Sequence, residues 1–190
     1  MKRKYFKFAT SPVTASYAYL ESPDTGGEYS DGKYKVTVIL DADDEDVSRI
    51  REVVRLAAEW EWGDSPPANL HSPLFHPKGE DGEPDEKRWA FRLKSKDQPL
   101  RTDSRGAPLP PDIQIRSGDL VRLAGAASSY VSGANHGVTL YLNAVRLMEK
   151  RVGGDPFGGA DVDGFVVEPS SDAGAAQTSD SFDASADINF

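Results

Sequence analysis

The 190-residue sequence contains no cysteine. That excludes disulfide staples, thiolate metal sites and a cysteine nucleophile, and it fits a reducing compartment. Long apolar runs are also missing. No stretch approaches the ~18 apolar residues of a membrane span. The basic opening MKRKYFKFATS is not followed by the apolar segment of a secretory signal. The expectation is a soluble, intracellular protein with no membrane partner. Histidine is scarce, limited to His71, His76 and His136. The first two share a Pro-rich stretch with nearby acids, but their spacing matches no zinc pattern. No metal or cofactor is expected. HExxH, GxSxG and GxxxxGK[ST] motifs are all lacking, so the sequence offers enzymatic chemistry no visible home and the chain is read as a non-enzyme.

The remaining absence is positional: no Lys or Arg follows Arg151. Eight of the 31 acidic residues lie beyond it, leaving 23 acids against 22 bases in the first 151 residues. The net charge of −9, which by itself argues against a nucleic-acid partner, is therefore almost wholly a property of the C-terminal end. The body is near neutral and the end is polyanionic.

What is present in the body reads mainly as strands. Residues 4–8 and 16–20 are short and aromatic-rich, with a Ser-Pro break between them. Residues 23–32 form a turn-rich connection. Over residues 33–40, Tyr34, Val36, Val38 and Leu40 alternate with Lys33, Lys35 and Thr37. One helix is predicted over residues 43–62. Val47, Ile50, Val54 and Ala57 recur at helical spacing, and the DADDED acids sit at its start, where they complement the helix dipole. Residues 63–87 and 101–112 read as loops. Residues 88–94, 119–131 and 138–150 read as strands, with a tight polar connection over 132–137. From residue 152 onward the composition is Gly, Ser, Ala and Asp, which buries too little surface to offset chain entropy. The expected architecture is mainly β: an OB-fold-like small barrel with one internal α-helix over residues 1–151, then a disordered acidic tail over 152–190.

Two residue patterns suggest a site. Lys87, Arg88, Arg92, Lys94, Lys96 and Arg101 face a single acid, Asp97, between them. Arg88, Arg92 and Lys94 share one strand face, a stripe roughly 20 Å long at about 3.3 Å per residue. Lys33 and Lys35 make a shorter stripe, which Arg122 and Arg146 could join. Such a stripe is either an ordinary solvated face or a track that neutralises successive phosphates. Tyr17, Tyr19, Tyr34, Tyr130 and Tyr141 are available for stacking on bases, or for burial in a barrel wall. Tyr130 stands out because it lies at a strand end beside the flexible SGANHG connection. Trp89, Phe91, Phe6 and Phe8 alternate with polar residues and read as core.

At this point a resemblance emerges. The segment TSPVTASYAYLESPDTGGEYSDGKYKVTVIL, residues 10–40, is similar to the opening of the single-stranded DNA-binding proteins of T-odd phages. The shared features are a Tyr-Ala-Tyr strand, a Pro-Asp turn and a Tyr-Lys-Val strand. LNAVRLMEKRVGGDPFGG, residues 142–159, is similar to that family's last core strand and Gly-rich exit, and the acidic tail closing on Phe190 is similar too. The resemblance implies an OB-fold and sequence-independent binding and protection of single-stranded DNA. It also implies roles in DNA replication, recombination, repair and annealing in the cytoplasm of an infected bacterial host. It implies a homodimer, and a tail that competes for the DNA groove and docks the phage DNA polymerase and helicase-primase. The candidate DNA-binding residues are then Lys4, Lys33, Lys35, Arg88, Arg92, Lys94, Arg122, Tyr130 and Tyr141. The candidate partner-binding tail residues are Asp180, Asp183, Asp187 and Phe190. This tail is diluted by Ser and Ala relative to the family pattern. Two other classes stay open: a small β-barrel interaction or virion protein that binds no DNA, and a metal-dependent nuclease using the DADDED acids.

Overall fold

Alternating side chains set the sheet, and the computed structural model describes it over residues 3–26 and 30–151. Eight strands occur among the described residues: β1 (Phe6–Ala9), β2 (Val13–Tyr19), β3 (Tyr34–Asp41), β4 (Leu74–Phe75), β5 (Arg88–Ser95), β6 (Leu100–Thr102), β7 (Leu120–Ser132) and β8 (Asn135–Glu149). The helix α1 (Glu45–Trp62) joins β3 to β4. Neighbouring strands run β2–β3–β5–β8–β7, and β7 returns to pair with β2, which closes a five-strand ring. The closure is not a clean barrel. β1 adds to β7, β6 adds to β8, and β4 adds to β5.

The inward row is the one the alternation predicts. Val36, Val38, Phe91, Leu93, Val121, Leu123, Leu140 and Val145 are buried in one core. Phe8 joins them, while Phe6 and Trp89 are half-buried against the core's edge. Burying each large apolar side chain contributes about 1.5–3 kcal/mol. The expected strands are all present, with shifted ends. The predicted 132–137 connection is a tighter hairpin: Ser132 and Asn135 are already paired, leaving only Gly133 and Ala134 in the turn. Two short strands fall inside the predicted loops. β4 lies within 63–87, and β6 overlaps the start of 101–112. Both are too short to show a period in sequence.

The helix starts one cap later than the acidic run suggests. Asp44 is the N-cap, its side chain accepting from the Asp46 amide at 2.8 Å, a contact worth about 1 kcal/mol. Asp46 is buried and accepts from the Ser11 amide at 2.8 Å and from Arg49. It thereby ties the helix to the β1–β2 turn. Two DADDED acids are thus engaged in holding the fold. Gly63 ends the helix at φ 59°, donating its amide to Glu59 at 2.8 Å. Among the described residues, no helix is long and apolar enough to cross a membrane.

Candidate nucleic-acid interface

Residues that alternate outward from the core meet in one groove of about 710 Å³. Strand register explains the meeting. Lys35 pairs with Lys94 across β3–β5, and Lys94 pairs with Tyr141 across β5–β8. Register partners share a face, so these side chains form a row across three strands. Tyr5 extends that row, its ring edge-on to Tyr141 with centroids 5.7 Å apart. Tyr130 lines the groove from the β7–β8 hairpin, and Lys33 from the β2–β3 connection.

The opposite wall is the β4 segment. His71 donates its amide to the His136 carbonyl at 2.9 Å, and Val138 donates to the His71 carbonyl at 3.0 Å. This close approach needs Gly137. A Cβ there would lie 2.7 Å from the His71 carbonyl oxygen and 2.8 Å from the Tyr130 hydroxyl, so a larger residue would displace either the wall or the ring. His76 takes a structural place instead, its Nδ1 2.9 Å from the Arg88 carbonyl oxygen and its ring against Trp89.

The cations of the groove differ in how far they are already neutralised. Arg92 is held by the Phe75 ring, 5.5 Å from its centroid, and by Thr37, to whose hydroxyl its Nε donates at 3.3 Å. Neither contact cancels its charge. Arg3, Lys33 and Lys96 also line the groove, and none of them has a carboxylate partner among the described residues. Lys94 donates to Asp31 at 2.7 Å. Lys35 is buried, bonded to Asp24 and 3.4 Å from Asp31. Burial would lower the Lys35 pKa, but the Asp24 bond and the two nearby carboxylates raise it overall, so it stays charged. For Asp31, burial pushes the carboxyl up, and the bond from Lys94 together with the charges of Lys94 and Lys35 outweighs that and holds it below the usual range.

Of the nine sequence-derived candidates, Lys33, Arg92, Lys94, Tyr130 and Tyr141 come together in this groove. The other four lie elsewhere. Lys35 shares the outward row, but its ammonium is enclosed by Asp24 and Asp31. Arg88 sits at the far end of β5, paired with Asp85 at 2.5 Å. Lys4 lies over the Trp60 ring, 4.1 Å from its centroid, on the helix side. Arg122 faces Arg146 in a separate cleft of about 220 Å³. The tail candidates Asp180, Asp183, Asp187 and Phe190 fall outside the described residues, as does the expected disorder of 152–190.

The groove also contains residues that are not among the nine candidates: Arg3, Tyr5, His71 and Phe75. Outward alternation opposite Phe6 and Phe8 was a usable signal for Tyr5 and Arg3. Phe75 had none, because its strand is two residues long. Chemically, rings set among unneutralised cations suit a polyanion that carries planar groups.

The chain matches the family model described as "Enterobacter phage Enc34, ssDNA-binding protein" over residues 6–174. No curated protein matches it in sequence. Its fold is similar to that of the bacteriophage Enc34 single-stranded DNA-binding protein solved with ssDNA, with TM-score 0.62 and 18% identity over 76% of this chain and 86% of that one. It is similar as well to gp2.5, a single-stranded DNA-binding protein encoded by bacteriophage T7, with TM-score 0.59 and 20% identity over 75% of this chain and 91% of that one.

Proposed function

The chain belongs to the family of the Enterobacter phage Enc34 ssDNA-binding protein, and from that premise we propose that it binds and protects single-stranded DNA through the Tyr130–Tyr141 groove. The observation that carries this reading is that the rings of Tyr5, Tyr141 and Tyr130 line one groove with Arg3, Lys33, Arg92 and Lys96. Every base offers a π-face, so stacking on these rings is tolerant of sequence. The cations take the phosphates and release counterions, which makes the affinity depend on salt. The role is stoichiometric binding rather than catalysis.

The test is a fluorescence-anisotropy titration with an unstructured oligonucleotide. Tyr141→Ala lowers affinity by about 1–3 kcal/mol, the contribution of one stacked base. A Tyr141→Ala protein that folds and binds as tightly as the parent contradicts the assignment of the groove.

The finer reading is that this binding serves phage DNA replication, recombination, repair and strand annealing in the cytoplasm of the infected host, with the protein acting as a homodimer. The acidic segment after Arg151 competes electrostatically with DNA and docks the phage DNA polymerase and helicase-primase, with Phe190 as a contact. The segregation of eight acids beyond the last basic residue supports this. Deletion of residues 166–190 raises affinity for single strands at low salt; unchanged or weaker binding refutes the competition.

A further inference from the structure

The Arg122–Arg146 cleft has no place in the groove, yet it is built from the same strands. Arg122 and Arg146 are directly opposed across β7–β8. Both are exposed, and neither has a carboxylate partner among the described residues. The two side chains line the cleft from its two sides, Arg122 reaching toward Thr10 and Arg146 toward Gly106, so the cleft presents two positive charges and is lined by no acid. Arg122 is also oriented: its Nε donates to the Thr10 carbonyl at 3.0 Å, which leaves its terminal nitrogens for another acceptor.

The surface between the cleft and the groove is continuous in register. Lys7 pairs with Ala126, which pairs with Tyr141 at the groove. One step further, Ala9 pairs with Ala124, which pairs with Ala144, and the next pair is Arg122 with Arg146. Between the two sites the outward rows are alanine, Ala126 buried and Ala124 and Ala144 half-buried, so a low floor of short side chains separates them. The exposed side chains beside it are Lys7, Asn143 and Leu100, the last paired with Ala144, and these rows carry no acid. From Tyr141 to Arg146 is five positions along β8, roughly 16 Å at about 3.3 Å per residue. A strand leaving the groove at Tyr141 covers that distance in a few nucleotides.

Resting on the reading that the groove binds single-stranded DNA, we infer that Arg122 and Arg146 form a second phosphodiester subsite, which receives the strand as it continues past Tyr141 over the alanine floor. The ligand is the sugar–phosphate backbone. Two opposed guanidinium groups grip phosphate oxygens without regard to the base. The subsite lengthens the occupied stretch of DNA rather than adding a second, independent strand.

The experiment is a length series of oligothymidylates titrated against the full chain and against Arg146→Ala and Arg146→Glu. Arg146 is the residue to change because it is exposed and its side chain makes no hydrogen bond among the described residues, whereas loss of Arg122 also frees the Thr10 carbonyl. Matching thermal melts establish that the variants fold. The expected result is unchanged affinity for oligonucleotides that fill only the groove. For longer ones, Arg146→Ala costs roughly tenfold, the loss of a charge-assisted phosphate contact. Its salt slope falls by about 0.7 per phosphate released. Arg146→Glu, which neutralises Arg122 as well, loses more than Arg146→Ala on the long oligonucleotides alone. Equal losses at every length, or no loss at any length, overturn the subsite and leave the groove reading standing. A parent chain that binds none of the oligonucleotides overturns the groove reading itself.

Discussion

Asp31 decides how much positive charge the groove presents. Its carboxylate accepts from Lys94 at 2.7 Å and lies 3.4 Å from the Lys35 ammonium, so one acid occupies the positions that phosphate oxygens would take beside two lysines. Asp31→Asn releases Lys94, which is partly exposed. It should raise affinity for single strands roughly two- to fivefold, in line with the small energy of a semi-exposed ion pair, and it should steepen the salt dependence. Anisotropy at low salt reads this directly; weaker binding by a folded Asp31→Asn protein would show that Asp31 holds the lysines in place rather than competing with DNA. The same residues show where sequence reading stops. Lys33 and Lys35 look alike in an alternating strand, and nothing in that pattern says that Asp24 and Asp31 enclose one and leave the other. Gly137 reads as a turn residue in sequence. Its function, room for the His71 carbonyl and the Tyr130 hydroxyl, exists only once residues 71 and 137 meet.

At the scale of elements, periodicity carried the long pieces and failed on the short ones. β3, β5, β7, β8 and α1 were legible because each repeats its apolar residue often enough to reveal a face. The Arg88, Arg92 and Lys94 face was also read correctly, but β5 is longer than the groove, so Arg88 runs past its end. β4 and β6 lack enough residues to show alternation, and with β4 went Phe75 and the His71 wall. One residue joins the two longest strands. Asp119, 1% exposed, precedes β7 and accepts from the Arg116 amide at 2.8 Å, the Lys150 ammonium at 2.9 Å and the Arg151 amide at 2.8 Å. Burial raises its pKa, and these donors together bring it below the ordinary carboxylate value. A carboxyl with a lowered folded pKa adds stability that is complete above its unfolded pKa, about 3.9. That stability is lost as pH falls through the lower folded value. Asp119→Asn therefore costs about 1–3 kcal/mol near neutral pH and much less in acid. Urea melts at the two pH values check this, and an equal cost at both would place the effect in packing rather than charge.

For the whole molecule, the net charge of −9 misleads until it is divided along the chain. The body is close to balanced, and its outward face places cations where the rings are. The family match spans residues 6–174, and the ring of strands closes as the mainly β reading expected. The central claim is that this near-neutral body binds single-stranded DNA by phosphate neutralisation and base stacking in one groove. The most direct measurement is the affinity of the full chain for an unstructured oligonucleotide across a salt series, beside Arg92→Ala and Tyr141→Ala. The account predicts that affinity falls steadily with salt, that Arg92→Ala flattens the slope by about 0.7, and that Tyr141→Ala weakens binding without changing the slope. Binding indifferent to salt, or to both substitutions in folded protein, would contradict it.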